Sequence, residues 1–375
     1  MRGGTSKGLV IHRHDLPLDM KKWDQIFTAA LGSPDIYMRQ LDGMGGGLSS
    51  LSKVCIIGPS SRVDADVDYT FAQVLINTSH VDYSAICGNM TSVVGPFSID
   101  EGIVSCNESN ATVRIYNTNT NKIILAHFPV DDGKAAVEGN LVIPGVSGKG
   151  APLRLEFLDP GGATTGKLLP TGNCKDILTL SNGKKFEVSM VDASNACVFI
   201  KASDIGINAA ESPDKLENNF KLMELLSEMR SAASIAMGIT KSKEEAFNKT
   251  TVPFIAIVNS PIDSKNLSGK IIEHSDIDIL ARVISNRQPH RALPLGVSLC
   301  MGVAAQIQGS VVHEVKRKNM NNSDLIRLGM PSGVLNVSAL VKKIDDQWHA
   351  LSGSFYRTQR RLFEGHVLIK ASNLD

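Results

Sequence analysis

Ile86-Cys87-Gly88-Asn89-Met90-Thr91-Ser92-Val93-Val94-Gly95-Pro96-Phe97 is the stretch on which the reading of this chain turns. A cysteine followed at once by Gly-Asn, then by small and apolar residues, reads as a thiol placed where a loop enters a helix. There, unpaired backbone N–H groups and the positive end of the helix dipole favour an anion and a lowered thiol pKa. A proton-transfer enzyme acting on carboxylates uses both properties. The same residues also fit a buried structural cysteine at a turn, so the surrounding chain has to decide.

The chain has 375 residues, too many for one compact core, which leads us to expect two domains. A net charge of +1 with 21% charged residues leaves no basic excess for nucleic acid. Low aromatic content (5%) and 32 glycines point to many tight turns and close backbone approaches. Six cysteines, at positions 55, 87, 106, 174, 197 and 300, never fall in a C-x-x-C spacing, and the nine histidines show no H-E-x-x-H. Zinc-ribbon, thioredoxin and other metal readings therefore fail, and no metal is expected. Cysteines inside apolar runs, such as Cys55 and Cys197, behave as small hydrophobes, and a reduced, cytoplasmic setting follows. Neither a signal peptide nor an apolar run long enough for a bilayer is visible, so no membrane partner is expected.

Short strand-like runs dominate, among them Gly8–Ile11, Lys53–Ile57, Tyr69–Ile76, Thr112–Tyr116, Lys122–His127, Leu153–Phe157, Ala196–Lys201 and Phe254–Val258. Helical periodicity is read at Met20–Leu31, Met90–Asp100, Pro213–Met237, Ile277–Ser285 and Pro294–Val312. This is an α+β pattern. A weak internal repeat aligns Met1–Ile11 with Met190–Ile200, so that Thr5 and Ser6 correspond to Ser194 and Asn195. The segment from Cys87 to Gly102 likewise matches that from Pro294 to Gly309. Duplication predicts domains at 1–178 and 179–375, with a C-terminal strand able to return to the first.

Three further stretches carry chemistry. Lys53 follows the glycine-rich loop Gly43–Ser50 at the mouth of an apolar strand. It is either a solvated strand-end residue or, projecting into a cleft, a base. Arg2-Gly3-Gly4-Thr5-Ser6-Lys7-Gly8 packs two cations, two hydroxyls and three glycines together. It reads as a carboxylate cradle or as an ordinary polar turn. The loop Gly329-Met330-Pro331-Ser332-Gly333, and His290 in Gln288-Pro289-His290-Arg291, are cleft-lining candidates or plain connectors.

Taken together, Arg2–Gly8, Ser52-Lys53-Val54, Asp66–Val74, Cys87-Gly88-Asn89-Met90, Tyr116–Thr120, Asp159-Pro160-Gly161-Gly162, Leu168–Gly172 and Arg360-Arg361-Leu362 resemble the PrpF family over nearly the whole chain. That family includes 2-methylaconitate, methylitaconate and 4-oxalomesaconate isomerases. The resemblance implies a diaminopimelate-epimerase-like fold: two pseudo-symmetric domains, each a curled mixed sheet around a central helix, with a site in the cleft between them. It implies catalytic roles for Lys53 and Cys87, no cofactor, and substrate contacts from Arg2, Thr5, Ser6, Lys7, Gly88, Asn89, Met90, Ser194, Asn195, His290, Gly296 and Ser332. The second thiol of a two-cysteine epimerase would fall near Pro294-Leu295-Gly296, where this chain has none.

Two departures stand out. Relatives often carry Thr-Gly where this chain has Leu295-Gly296, and His where it has Met330. The family also usually has a short strand before Arg2, so a missing edge strand is expected. The expected activity is a cofactor-independent allylic proton shift on an unsaturated di- or tricarboxylate by a possible homodimer. An amino- or hydroxy-acid racemase and a non-catalytic carboxylate-binding protein are the alternatives.

Overall fold

In the computed structural model, residues 1–83, 86–248, 252–285, 288–318, 325–370 and 372 are described. Contacts divide the chain into two units, Met1–Leu158 with Tyr356–Asp375, and Asp159–Phe355.

In the first unit, six longer strands follow one another in a mixed sheet. Leu9–His12 runs parallel to Lys53–Pro59, which is antiparallel to Val67–Val74. Val67–Val74 is parallel to Asn110–Asn117, followed antiparallel by Lys122–Asp131 and Leu153–Leu158. The helix Val94–Asp100 touches strands of this sheet from 53–59, 110–117 and 122–131, so the sheet curls around it. Val94 through Ile99 are all buried, the signature of a helix apolar on every side and sunk in a core. On the outer face, Trp23, Phe27 and Leu31 of the helix Trp23–Leu31 pack on Val54, Ile56, Ala72 and Val74. Side chains alternate along a strand. With Val54 and Ile56 turned to the outer helix, Lys53 and Cys55 share the opposite face, toward the central helix.

The second unit repeats the pairing pattern. Asn195–Lys201 is parallel to Phe254–Asn259, antiparallel to Ile279–Ser285 beyond it, then parallel to Leu325–Met330. Gly333–Ile344 and the strand that begins at Gln347 follow antiparallel. The central helix here is Leu295–Gln306, buried from Leu295 through Ala305 except at Gly296. The two units are thus α+β copies of one plan, as the internal repeat implies.

Three expectations need correction. Ile277–Ser285 is read as a helix but forms the strand Ile279–Ser285. Its neighbours on both sides are strands and Ile279 through Ile284 are buried, Arg282 included, so no exposed polar face alternates along it and its periodicity cannot separate the two states. Pro294–Val312 is two helices, Leu295–Gln306 and Val311–Val315, interrupted where Ser310 caps the second by accepting from the His313 N–H. The division between units falls after Leu158 rather than after residue 178. The loop that follows is tied to the second unit: Gly162 N–H donates to the Asp192 carbonyl (2.8 Å), Asp192 N–H to Leu168 (2.9 Å) and Ser194 N–H to Pro160 (2.7 Å). The Asp192 carboxylate tightens this tie, accepting from the Thr164 and Thr165 N–H groups at 2.8 and 2.6 Å.

Candidate active site

The Arg2–Gly8 segment is a β-hairpin in which Gly3 pairs with Ser6 around a two-residue turn. Gly4 has φ 50°, and positive φ at the first turn position is the geometry that asks for glycine in a type II′ turn. One side of the hairpin faces Lys53: a Cβ on Gly8 would lie 2.6 Å from the Lys53 carbonyl oxygen and 3.1 Å from its Cβ. The other side faces the start of the helix Gly88–Thr91, where a Cβ on Gly3 would lie 2.5 Å from the Asn89 carbonyl oxygen. The glycines of the motif therefore let one short hairpin wedge against both segments that carry Lys53 and Cys87.

Lys53 is buried (8% exposed) at the first position of its strand. Its cross-strand partner is Gln73, whose Oε1 accepts from Lys53 Nζ. Gln73 Nε2 donates to the carbonyls of Ser49 (3.1 Å) and Ser52 (2.9 Å), so the amide can turn only its oxygen toward the lysine. The ammonium also lies 5.2 Å from the centre of the Phe71 ring.

Cys87 is the half-buried N-cap residue of Gly88–Thr91, in extended conformation, and its carbonyl accepts from the Thr91 N–H (2.9 Å) and hydroxyl (3.0 Å). Beneath lies Cys55, whose thiol donates to the Tyr69 hydroxyl at 3.7 Å. Burial pushes the Cys55 thiol up to about 12, and both Cys87 and Lys53 act on it electrostatically. Cys55 is thus an inert core thiol, while Cys87 keeps exposed surface.

Asn89 ties the helix start to the hairpin. Its Nδ2 donates to Thr5 Oγ1 (3.1 Å), and its Oδ1 accepts from the Thr5 N–H (3.4 Å) and from Arg357 Nε (3.1 Å). Arg357 is buried, and burial pulls its guanidinium down to about 9 while the negative form of Cys87 works in the opposite direction.

The first unit therefore brings together Arg2, Thr5, Lys53, Cys87, Gly88 and Asn89, with Lys7 half-buried on the second hairpin strand. Arg2 uses Nη1 on the carbonyls of Gly4 (3.0 Å) and Thr358 (2.9 Å), so part of its charge serves the hairpin itself. Met90 is wholly buried and Ser6 nearly so (4%).

In the second unit, Ser194 forms the tip of the hairpin between Ala193 and Asn195 with φ 67°. A Cβ on Gly296 would overlap the Asn195 amide and lie 3.1 Å from Ser194 Oγ. This is the first unit's arrangement with the partners exchanged: there the hairpin supplies glycine and the helix asparagine, here the reverse. His290 is half-buried with its N–H on the Val283 carbonyl (2.8 Å), and burial lowers its pKa. Ser332 Oγ is buried and, among the described residues, has no hydrogen-bond partner. Met330 accepts from the Leu293 N–H through sulfur at 3.4 Å. Among the described residues no three His, Cys, Asp or Glu side chains converge as a metal would require, and no helix is long and apolar enough to cross a membrane.

Two residues of this site, Gln73 and Arg357, are not singled out by the sequence reading, although Gln73 lies in the Asp66–Val74 stretch. Gln73 is found once the strand register places it opposite Lys53, and nothing local points to Arg357, which is 268 residues from Asn89.

Gly8 carries no chemistry, yet Gly8→Ala should act on Lys53. The added methyl meets backbone, which cannot rotate away, so the strand end has to shift. We expect a stability loss of about 1–3 kcal/mol by denaturant titration, and turnover lowered about 10-fold by misplacement of the amine.

A mixed sheet curled around a buried helix, built twice, with a lysine and a helix-start cysteine on either side of one hairpin, defines a duplicated α+β fold. The profile of the family described as PrpF protein matches residues 1–370, and the chain belongs to that family. It is 41% identical to the 3-methylitaconate isomerase of Eubacterium barkeri, over 100% of this chain and 97% of the relative. It is 34% identical to the 2-methyl-aconitate isomerase of Shewanella oneidensis, over 98% and 95% of the two chains. The crystal structure of a methylitaconate-delta-isomerase superposes with a TM-score of 0.92 at 40% identity, covering 100% of this chain and 95% of that one.

Proposed function

We propose that this chain is a cofactor-independent isomerase that moves a proton across an allylic unit of an unsaturated di- or tricarboxylate, in the cytoplasm. The observation that carries the reading is the Arg2–Gly8 hairpin lying against Lys53 on one side and the Cys87–Asn89 helix start on the other. Relatives over full length are named as isomerases of 3-methylitaconate, 2-methyl-aconitate and, in Novosphingobium, (4E)-oxalomesaconate. Its cysteines are free thiols, in keeping with a reducing compartment.

One of the two groups takes a proton from the carbon allylic to the double bond. The electron pair left behind delocalises through the alkene into the neighbouring carboxylate. The other group delivers a proton to the far carbon, and the double bond moves. Since the reaction is reversible, Lys53 and Cys87 exchange roles between the two directions. The charge that develops on the carboxylate is met by the Thr5 hydroxyl and the N–H groups of Gly88 and Asn89, donors already fixed by the fold.

The test is incubation in deuterated water with 2-methylaconitate, 3-methylitaconate and 4-oxalomesaconate, followed by NMR. Product carrying deuterium at the carbon distal to the original C–H is expected. Label returning only to the original carbon with inverted configuration would make the protein a racemase, and no label in any acid would make it a binder.

A further inference from the structure

We infer that Arg357 is a positioning residue that sets the direction of the Thr5 hydroxyl, turning it into a hydrogen-bond donor for a substrate carboxylate. This rests on the proposed carboxylate isomerase reading. The inference follows from hydrogen-bond polarity along three residues. A guanidinium has donors and no acceptor. Arg357 Nε, 3.1 Å from the Asn89 side chain, can therefore face only its oxygen. With Oδ1 so placed, Nδ2 must point at Thr5 Oγ1, 3.1 Å away, and it has only hydrogens to offer. The Thr5 hydroxyl has to accept there. Its own proton is left for another partner, and among the described residues no acceptor takes it. Thr5 is exposed at the hairpin tip, where a ligand reaches it.

The packing enforces the chain. A Cβ on Gly4 would overlap Asn89 Oδ1 and come within 2.9 Å of Arg357 Cδ, so the turn is shaped around both side chains. Arg357 Nη1 is anchored on the Tyr356 carbonyl at 2.7 Å, which holds Nε in place. A neutral donor–acceptor residue at 357 would leave only the longer Thr5 N–H bond (3.4 Å) to hold the amide against a flip, after which the Thr5 hydroxyl would donate inward and present lone pairs to an anion.

The test is a double-mutant cycle on Arg357→Met and Thr5→Val. Binding of tricarballylate, a saturated and unreactive tricarboxylate, is read by calorimetry, and KM and kcat are read with the isomerised acid. Each single variant should weaken tricarballylate binding ~10-fold or more, the worth of a hydrogen bond to a charged group. KM should rise and kcat should fall in both single variants, because the Thr5 hydroxyl meets the carboxylate's developing charge as well as its resting charge, and the double variant should bind no more weakly than the worse single. Arg357→Lys, which keeps a donor toward Asn89, should retain the Thr5→Val penalty and serves where Arg357→Met does not fold. Losses that multiply in the double variant, wild-type binding by Arg357→Met, or no Thr5→Val penalty in the Arg357→Lys background would overturn the inference. Coupled losses for tricarballylate in a protein that turns over none of the acids would uphold the inference and overturn the isomerase reading instead.

Discussion

Lys53→Ala should lower isomerisation at least ~10²-fold, the lower end of what a positioned acid–base group contributes. The fold should survive, since Lys53 is the first residue of its strand and the apolar contacts of Val54 and Ile56 with the outer helix remain. Gln73 would lose one bond but keep those to Ser49 and Ser52. The sharper readout is isotopic. With Cys87 intact, the variant should still exchange deuterium into the one carbon that the thiol serves, without net isomerisation. Near-normal turnover in a folded Lys53→Ala protein would remove the lysine from the mechanism.

Cys87→Ala is the complementary case, and its loss should be of similar size, ~10²- to 10⁴-fold. Label should now wash into the other carbon, the one Lys53 serves. Cys87→Ser tests whether the site needs a thiol: a serine hydroxyl keeps the hydrogen-bonding capacity but is a far weaker acid. Serine should therefore behave like alanine in turnover. The other thiol in this region, Cys55, cannot substitute, being fully buried with its ionisation suppressed. If both single variants label the same carbon, one residue performs both transfers and the two-group scheme fails.

Which features are legible in the amino-acid sequence depends on the distance over which each one acts. The hairpin glycines, Lys53 at a strand mouth and Cys87 before Gly-Asn are local signals, since turn chemistry and helix entry are written within a few residues. The duplicated α+β plan is legible through the match of Met1–Ile11 with Met190–Ile200, and the pairing order of the two sheets follows it. What escapes is non-local. Gln73 becomes a partner of Lys53 only through register, and Arg357 reaches Asn89 across most of the chain. Ile279–Ser285 reads wrongly as a helix because a strand with strands on both sides and a buried helix both lack an exposed polar face. Met90 and Ser6 are buried within their motifs, because side-chain burial within a motif is decided by packing.

The strand pairing of Gln359–Arg360 with Gly3–Arg2 carries a consequence for biosynthesis. Residues 2 and 3 wait for residues 359 and 360, so the hairpin beside Lys53 and the Cys87 helix start is completed only after all of the intervening chain has been made. The intervening second unit forms one continuous segment, Asp159–Phe355, and is free to fold beforehand. Such long-range closure is entropically slow, and it delays completion of this hairpin until Gln359 and Arg360 have emerged from the ribosome.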